Sequence, residues 1–104
     1  MRIVVKKPGK EPEVKEIPNK LEAFQKIVGG YIETILITDD PILCVCNEEG
    51  KMLDLEPNFM FGGDVIVGDV FFVGTNEFDF ESLTDEQVDM VMTVLNLFGL
   101  HKIE

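Results

Sequence analysis

The sequence predicts an α+β domain, with a mostly antiparallel sheet of five or six strands and two helices packed on it. Short apolar segments rich in β-branched residues recur along the chain, and turn residues separate them closely enough for hairpins. Two amphipathic segments begin with helix-capping patterns. At 104 residues, of which 45% are hydrophobic, the chain can bury one core, so we expect a single domain over residues 1–104.

Six segments are predicted as strands because they are rich in β-branched residues or alternate apolar with polar residues. They cover residues 1–6, 13–17, 31–38, 42–46, 51–55 and 65–73. The last strand contains Gly68, which indicates a bulge or a close backbone approach. Residues 56–64 are predicted to be irregular, because Pro57, Gly62 and Gly63 interrupt them.

Two segments are predicted as helices. The first begins at Asn19, which approximates a capping box with Glu22, and Gly29 ends it. The second begins with the capping pair Thr84 and Gln87 and is closed by Gly99. The apolar residues predicted to face the sheet are Leu21, Phe24, Ile27 and Val28 in the first helix, and Val88, Val91, Met92, Leu95 and Phe98 in the second.

Charge is distributed unevenly along the chain. The first 26 residues hold seven Lys or Arg against four Glu, whereas the stretch from Met52 to His101 holds ten Asp or Glu and no Lys or Arg. The net charge of −11 argues against direct binding to nucleic acid or to an anionic membrane, because both need clustered cations. We expect the seven N-terminal cations to be dispersed over solvent-exposed faces.

The acidic stretch allows two interpretations. The first is a surface that keeps the protein soluble. The second is an imitation of nucleic-acid phosphates, which would inhibit a host DNA-binding enzyme. Both interpretations stay open at this point.

Templates for catalytic and metal sites do not fit the sequence. Cys44 and Cys46 lie two positions apart on one predicted strand, with Cα atoms about 6.5–7 Å apart, an awkward span for a disulfide. Since the chain has a single histidine, His101, no zinc-ligand set emerges, and the cysteines are interpreted as core residues. We predict no catalytic residue, metal or cofactor. A small enzyme of unknown reaction stays open, because a carboxylate pair depends on proximity in space.

The sequence also bears on location. The N-terminal residues lack the long apolar stretch of a signal peptide, and no apolar run reaches the roughly 20 residues that span a bilayer. We therefore expect a cytoplasmic protein with reduced thiols and no membrane partner.

Five segments of the chain, residues 19–33, 46–51, 55–58, 66–69 and 83–86, form a recognisable series. The most specific are Ile-Val-Gly-Gly-Tyr-Ile-Glu at 27–33 and Asn-Glu-Glu-Gly-Lys at 47–51. In this order they resemble the family called domain of unknown function 3846, short proteins of bacteria, phages and conjugative elements. The resemblance implies a small cytoplasmic domain often carried on mobile DNA, and it supplies no catalytic residues. Members often have Arg and Ala after the Pro-x-Asn segment, where this chain has Phe59-Met60-Phe61.

A ligand site, if the chain has one, is expected near Tyr31, Asn47, Glu49 and Asn58. Asn58 draws attention because a polar residue in an apolar loop often braces the backbone or a ligand. The triplet Phe59, Met60 and Phe61 is interpreted either as a core plug or as part of a surface for a second copy or another protein. The leading hypothesis is a non-enzymatic accessory protein of phage or mobile-element type that binds a protein or a small ligand.

Overall fold

A computed structural model describes residues 1–39, 41–76 and 78–98 and confirms the α+β fold class. Gly99, which is predicted to close the second helix, lies outside the described residues, as do His101 and the side chain of Phe98. In chain order the elements are β1 (Arg2–Lys6), β2 (Glu13–Glu16), α1 (Leu21–Val28), β3 (Ile32–Thr38), β4 (Ile42–Asn47), β5 (Pro57–Phe61), β6 (Asp64–Val67), β7 (Val70–Thr75), β8 (Phe80–Glu81) and α2 (Asp85–Phe98).

The main sheet is antiparallel and runs in the order β2-β1-β7-β4-β3, with the short β8 also paired to β7. Strand β7 lies at its centre, and its Val-Phe-Phe-Val stretch is buried throughout. Strands β5 and β6 form a separate two-stranded sheet. The main sheet therefore has two faces to cover, and successive β7 side chains point to opposite faces.

Each face of the sheet has its own cover. Helix α1 packs on one face, where the rings of Phe24 and Phe71 lie 5.6 Å apart between centroids. Helix α2 and the β5–β6 hairpin cover the other face, where the rings of Phe59 and Phe72 lie 5.9 Å apart. Cys44 and Cys46 are buried and unpaired, as predicted for core residues.

The prediction of an irregular segment at 56–64 is wrong. This segment supplies β5 and the turn into β6, because Gly62 (φ 60°) and Gly63 (φ 80°) form a two-residue turn with both φ angles positive. Such turns match the twist of a hairpin, and glycine adopts them without strain.

The single strand predicted at 65–73 is also wrong. The chain turns at Gly68 (φ 78°), so that β6 and β7 belong to different sheets. A Cβ built on Gly68 would lie 2.8 Å from Leu55 Cδ1, so glycine marks a close approach of a side chain as well as a turn.

Residues 51–55 form turns instead of the predicted strand, because their hydrogen bonds are local. The Leu53 amide donates to the Glu49 carbonyl (2.9 Å) and the Leu55 amide donates to the Gly50 carbonyl (3.0 Å). A strand would instead direct its amides to a neighbouring strand. The outcome is a compact projection between β4 and β5.

The helix termini match the predictions in part. Thr84 and Gln87 form the predicted capping box, in which each side chain accepts a hydrogen bond from the other residue's amide (3.1 and 2.9 Å). Gly29 ends α1 in the left-handed conformation (φ 81°). The capping box at Asn19 is wrong, because the chain turns after Pro18 and the extended residue before α1 is Lys20, which makes no side-chain cap.

Candidate functional site

An acidic cleft of about 320 Å³ lies between the β3–β4 edge and strand β6. Its rim carries Glu33, Glu48 and Glu49, and Ile35 and Ile66 form part of its apolar floor. Glu33 comes from edge strand β3, whereas the other two glutamates follow directly on β4. Strand β6 closes the opposite side, so hairpin β5–β6 helps to shape the cleft.

The rim of the acidic cleft carries uncompensated negative charge. Lys51 also lines it, but its ammonium is paired with Asp64, and this hydrogen bond lowers the pKa of Asp64. In the part of the chain that the structure describes, the three rim glutamates form no ion pair. The cleft is therefore suited to a cationic group.

The thiol of Cys46 also lines the cleft, and its pKa is sensitive to the negative charge there. Burial and, to a smaller extent, the nearby carboxylates of Glu33 and Asp64 together raise the pKa of Cys46 to about 11. Burial also raises the pKa of Cys44. Both thiols are protonated at neutral pH, which makes them poor nucleophiles and poor metal ligands. Among the described residues, no group of three or more His, Cys, Asp or Glu side chains is placed to hold a metal ion.

Asn47 fixes the turn that carries the two glutamates. Its side chain is 6% exposed; Nδ2 donates to the Val28 carbonyl at the end of α1 (3.1 Å), and Oδ1 accepts from the Glu49 amide (2.8 Å). Gly30 makes room for this contact, because a Cβ there would lie 2.9 Å from Asn47 Nδ2. Asn47 thus links the end of α1 to the turn after β4. Its bond is to the Glu49 backbone, and the Glu49 side chain is exposed to solvent.

Three of the four predicted site residues lie together. Tyr31, Asn47 and Glu49 line a shallower pocket of about 200 Å³ next to the acidic cleft, and Leu53 completes its apolar side. Tyr31 is 67% exposed, and its carbonyl accepts a hydrogen bond from the Glu48 amide (2.8 Å). Since Asn47 and Glu49 line both depressions, the two form one continuous region of the surface.

Asn58 lies elsewhere, in a buried polar network with Lys6. Asn58 is 4% exposed; its Nδ2 donates to the carbonyls of Lys6 (2.9 Å) and Gly68 (2.7 Å). Its Oδ1 accepts from Lys6 Nζ (3.1 Å), which also donates to the Lys7 carbonyl (2.7 Å). Every polar atom of this amide therefore braces the protein itself.

Lys6 is the residue that sequence reasoning missed. It is 1% exposed, and burial lowers its pKa, an effect opposed by the charge of Glu11. The alternation of side chains along β1 could have predicted this burial. Lys6 follows Val4 by two positions and so lies on the same face of the strand, and Val4 faces the core on the side of α2 and β5. A lysine at the end of a strand is normally predicted to be exposed, and its burial could be inferred only once its polar partners were known.

The aromatic triplet divides between core and surface. Phe59 is buried, Phe61 packs against the same core, and Met60 on the opposite face of β5 is exposed. The interpretation as a core plug therefore applies to Phe59 and Phe61. A role of the triplet in an interface stays a prediction.

Comparison with known proteins adds the family. A family model described as "Domain of unknown function (DUF3846)" matches residues 1–96. The chain belongs to the DUF3846 family. No curated protein and no solved structure matches this DUF3846 chain. In the described part of the chain, no helix is long and apolar enough to cross a membrane.

The N-terminal cations of this DUF3846 domain are less dispersed than predicted. Lys7, Lys10 and Lys26 line one groove of about 520 Å³, and Lys15 joins Lys7 and Lys26 around an adjoining recess of about 250 Å³. The expectation of dispersal is wrong for these four lysines, because the loop between β1 and β2 lines the same groove as the end of α1. We call this surface the basic groove.

Proposed function

We propose that this protein is a non-catalytic binding protein whose acidic cleft holds a basic segment of a partner protein. The supporting observation is the set of rim carboxylates, Glu33, Glu48 and Glu49, which form no ion pair with any described residue. An arginine or lysine side chain could lay its methylene stem on the apolar floor and present its charged head to the rim.

The size of the cleft supports a side chain of a bound segment as its occupant. A volume of about 320 Å³ is at the lower end of the range for drug-sized ligands, about 300–1,000 Å³. The neighbouring pocket, with its exposed Tyr31 and Leu53, offers an apolar contact for the residue beside that cation. Aromatic side chains at such positions are frequent anchors in protein interfaces.

The cellular setting is a further part of the proposal. An accessory role in a phage or mobile element is supported by the family resemblance. A cytoplasmic location is part of the proposal and is compatible with the two buried, unpaired cysteines.

The test is binding of a labelled basic peptide, a nonapeptide of alternating arginine and alanine, followed by fluorescence anisotropy at low salt. We expect Glu33→Gln and Glu49→Gln each to weaken binding at least about tenfold, because a charge-assisted hydrogen bond contributes about 1.5–3 kcal/mol. The matched control is Glu86→Gln, which removes the same charge from the exposed first turn of α2 and should change the affinity less than about twofold.

The control decides how the result is interpreted. Equal weakening by Glu86→Gln and Glu33→Gln would mean that the peptide senses only the overall negative charge, which would overturn the cleft proposal. Absence of binding by the unmodified protein would overturn it as well.

The alternative of a nucleic-acid mimic has weaker support from the described residues. Asp64 and Asp85 are paired with Lys51 and Arg2, respectively. Glu56 and Asp69 line the basic groove. DNA presents one charge per roughly 1.7 Å of its axis, so paired or dispersed carboxylates add little to a DNA-like ridge. The mimic, like the small enzyme, stays a prediction.

A further inference from the structure

The basic groove concentrates the free cations of an acidic protein. Of the seven cations in the first 26 residues, Arg2 is paired with Asp85 and Lys6 is buried. Four of the remaining five line the basic groove and its recess: Lys7, Lys10, Lys15 and Lys26. Such a concentration is not required by the fold, since a solubilising lysine can be placed on any exposed face.

None of these lysines forms a close ion pair with a described residue, although Glu56 and Asp69 line the same groove. Among the described residues, Lys7, Lys10 and Lys26 form no ion pair, and Lys15 reaches Glu13 only at 3.9 Å. Lysines that share a groove repel one another, and an anion bound between them would relieve that repulsion.

The walls of the basic groove are held in place by the buried polar network. Lys6 Nζ donates to the Lys7 carbonyl (2.7 Å), which also accepts from the Lys10 amide (3.1 Å). On the opposite wall, Asn58 Nδ2 donates to the Gly68 carbonyl (2.7 Å), and the Gly68 amide donates to the Glu56 carbonyl (2.8 Å). One network therefore orders the backbone of both walls, which lowers the entropy lost on binding a ligand.

The remaining lining defines the chemical class of the ligand. Ile27 and Leu55 offer apolar surface, and Asp69 and Glu56 offer acceptors for hydroxyl or amino groups. A volume of about 520 Å³ suits a ligand of nucleotide size. A long polyanion would be repelled by a protein of net charge −11, whereas a compact anion meets mainly the local lysines.

We propose that the basic groove is a binding site for a small organic phosphate, with its phosphates on Lys7, Lys10 and Lys26 and its organic part over Ile27 and Leu55. The recess beside Lys15 extends the site for an additional phosphate. This site is separate from the acidic cleft and does not depend on the function proposed for the cleft.

The test is titration of the ¹⁵N-labelled protein with metal-free ATP at 50 mM NaCl, followed by amide chemical shifts. We expect saturable shifts around residues 7–10 and 26–29 and about tenfold weaker binding by Lys26→Gln, since a charge-assisted hydrogen bond to the phosphate is lost. The control, Lys20→Gln, removes the same charge from a residue outside the basic groove and should leave the affinity within about twofold.

Two further probes separate this site from general attraction of anions. Inorganic tripolyphosphate should bind more weakly than ATP, because it has no organic part to contact Ile27 and Leu55; equal affinity would overturn the assignment to an organic phosphate. A duplex oligonucleotide that binds as tightly as ATP would overturn the assignment to a small ligand. Equal effects of Lys20→Gln and Lys26→Gln, or no shifts with ATP, would overturn the site itself.

Discussion

Replacing Asn58 with alanine should destabilise the protein strongly, although this residue lies outside both charged sites. The substitution removes three hydrogen bonds and leaves Lys6 Nζ and the carbonyls of Lys6 and Gly68 short of a buried partner. Each buried polar group left unsatisfied costs about 1–3 kcal/mol. We therefore expect the free energy of unfolding to fall by at least about 3 kcal/mol, a large part of the roughly 5–15 kcal/mol typical of a domain.

The assay is urea denaturation followed by circular dichroism, with thermal unfolding in parallel. One kcal/mol corresponds to about 4–8 °C in a domain of up to about 100 residues, so the melting temperature should drop by at least about 12 °C. The matched control is Asn76→Ala, whose side-chain oxygen accepts from the amides of Phe78 and Asp79 on the exposed surface. We expect that control to lose only about 1 kcal/mol, because water replaces the lost partner.

A double-mutant cycle isolates the contribution of the network. Lys6→Met combined with Asn58→Leu replaces the ammonium and the amide by apolar groups, so the double variant should be more stable than the sum of the two single effects predicts. A loss below about 1 kcal/mol for Asn58→Ala, or strict additivity in the cycle, would refute the reasoning that Lys6 and Asn58 form one buried unit.

Three more outcomes follow from single features. Burial lowers the pKa of Lys6, so between that pKa and about 10.4 the unfolded state binds more protons than the folded state. The free energy of unfolding, compared with that of Lys6→Met, should therefore rise from pH 7 to pH 10, as measured by urea denaturation. Gly68→Ala should lower the melting temperature more than Gly9→Ala, since both have positive φ but only Gly68 lacks room for a Cβ. Cys46 should react slowly with a thiol reagent at pH 8, and Glu33→Gln should accelerate the reaction by lowering the thiol pKa; an unchanged rate would contradict the negative field of the cleft.

Two features that local sequence determines were predicted correctly. The capping box of Thr84 and Gln87 and the glycine that ends α1 are formed by residues within a few positions of one another. The β5–β6 hairpin was missed for a different reason. Gly62 and Gly63 are compatible with an irregular loop or a hairpin turn, and only the pairing of Phe59 with Ile66 distinguishes the two.

For the site residues too, sequence reasoning could place together only residues that are close in the chain. Asn47 and Glu49 are close in sequence and belong to a turn whose geometry the residue types favour, so their proximity to each other was accessible to sequence reasoning. Lys26 and Lys7 come from a helix and from the loop after β1, and their meeting in the basic groove depends on how α1 lies against the sheet. Asn58 and Lys6 are separated by 52 positions, and no local pattern pairs them.

The two charged surfaces also change what the net charge of −11 implies. The molecule measures 33 × 27 × 21 Å, whereas charges in physiological salt are screened over about 8 Å. A ligand in contact with the basic groove therefore senses chiefly the lysines and the two carboxylates, Glu56 and Asp69, that line it. A ligand at the acidic cleft senses chiefly the rim glutamates. The overall charge acts mainly on the approach of large polyanions, which it slows. The net charge can therefore disfavour the binding of a long nucleic acid while the basic groove binds a small anion. The long polyanion meets the charge of the whole protein, whereas the small anion meets only the groups within about 8 Å.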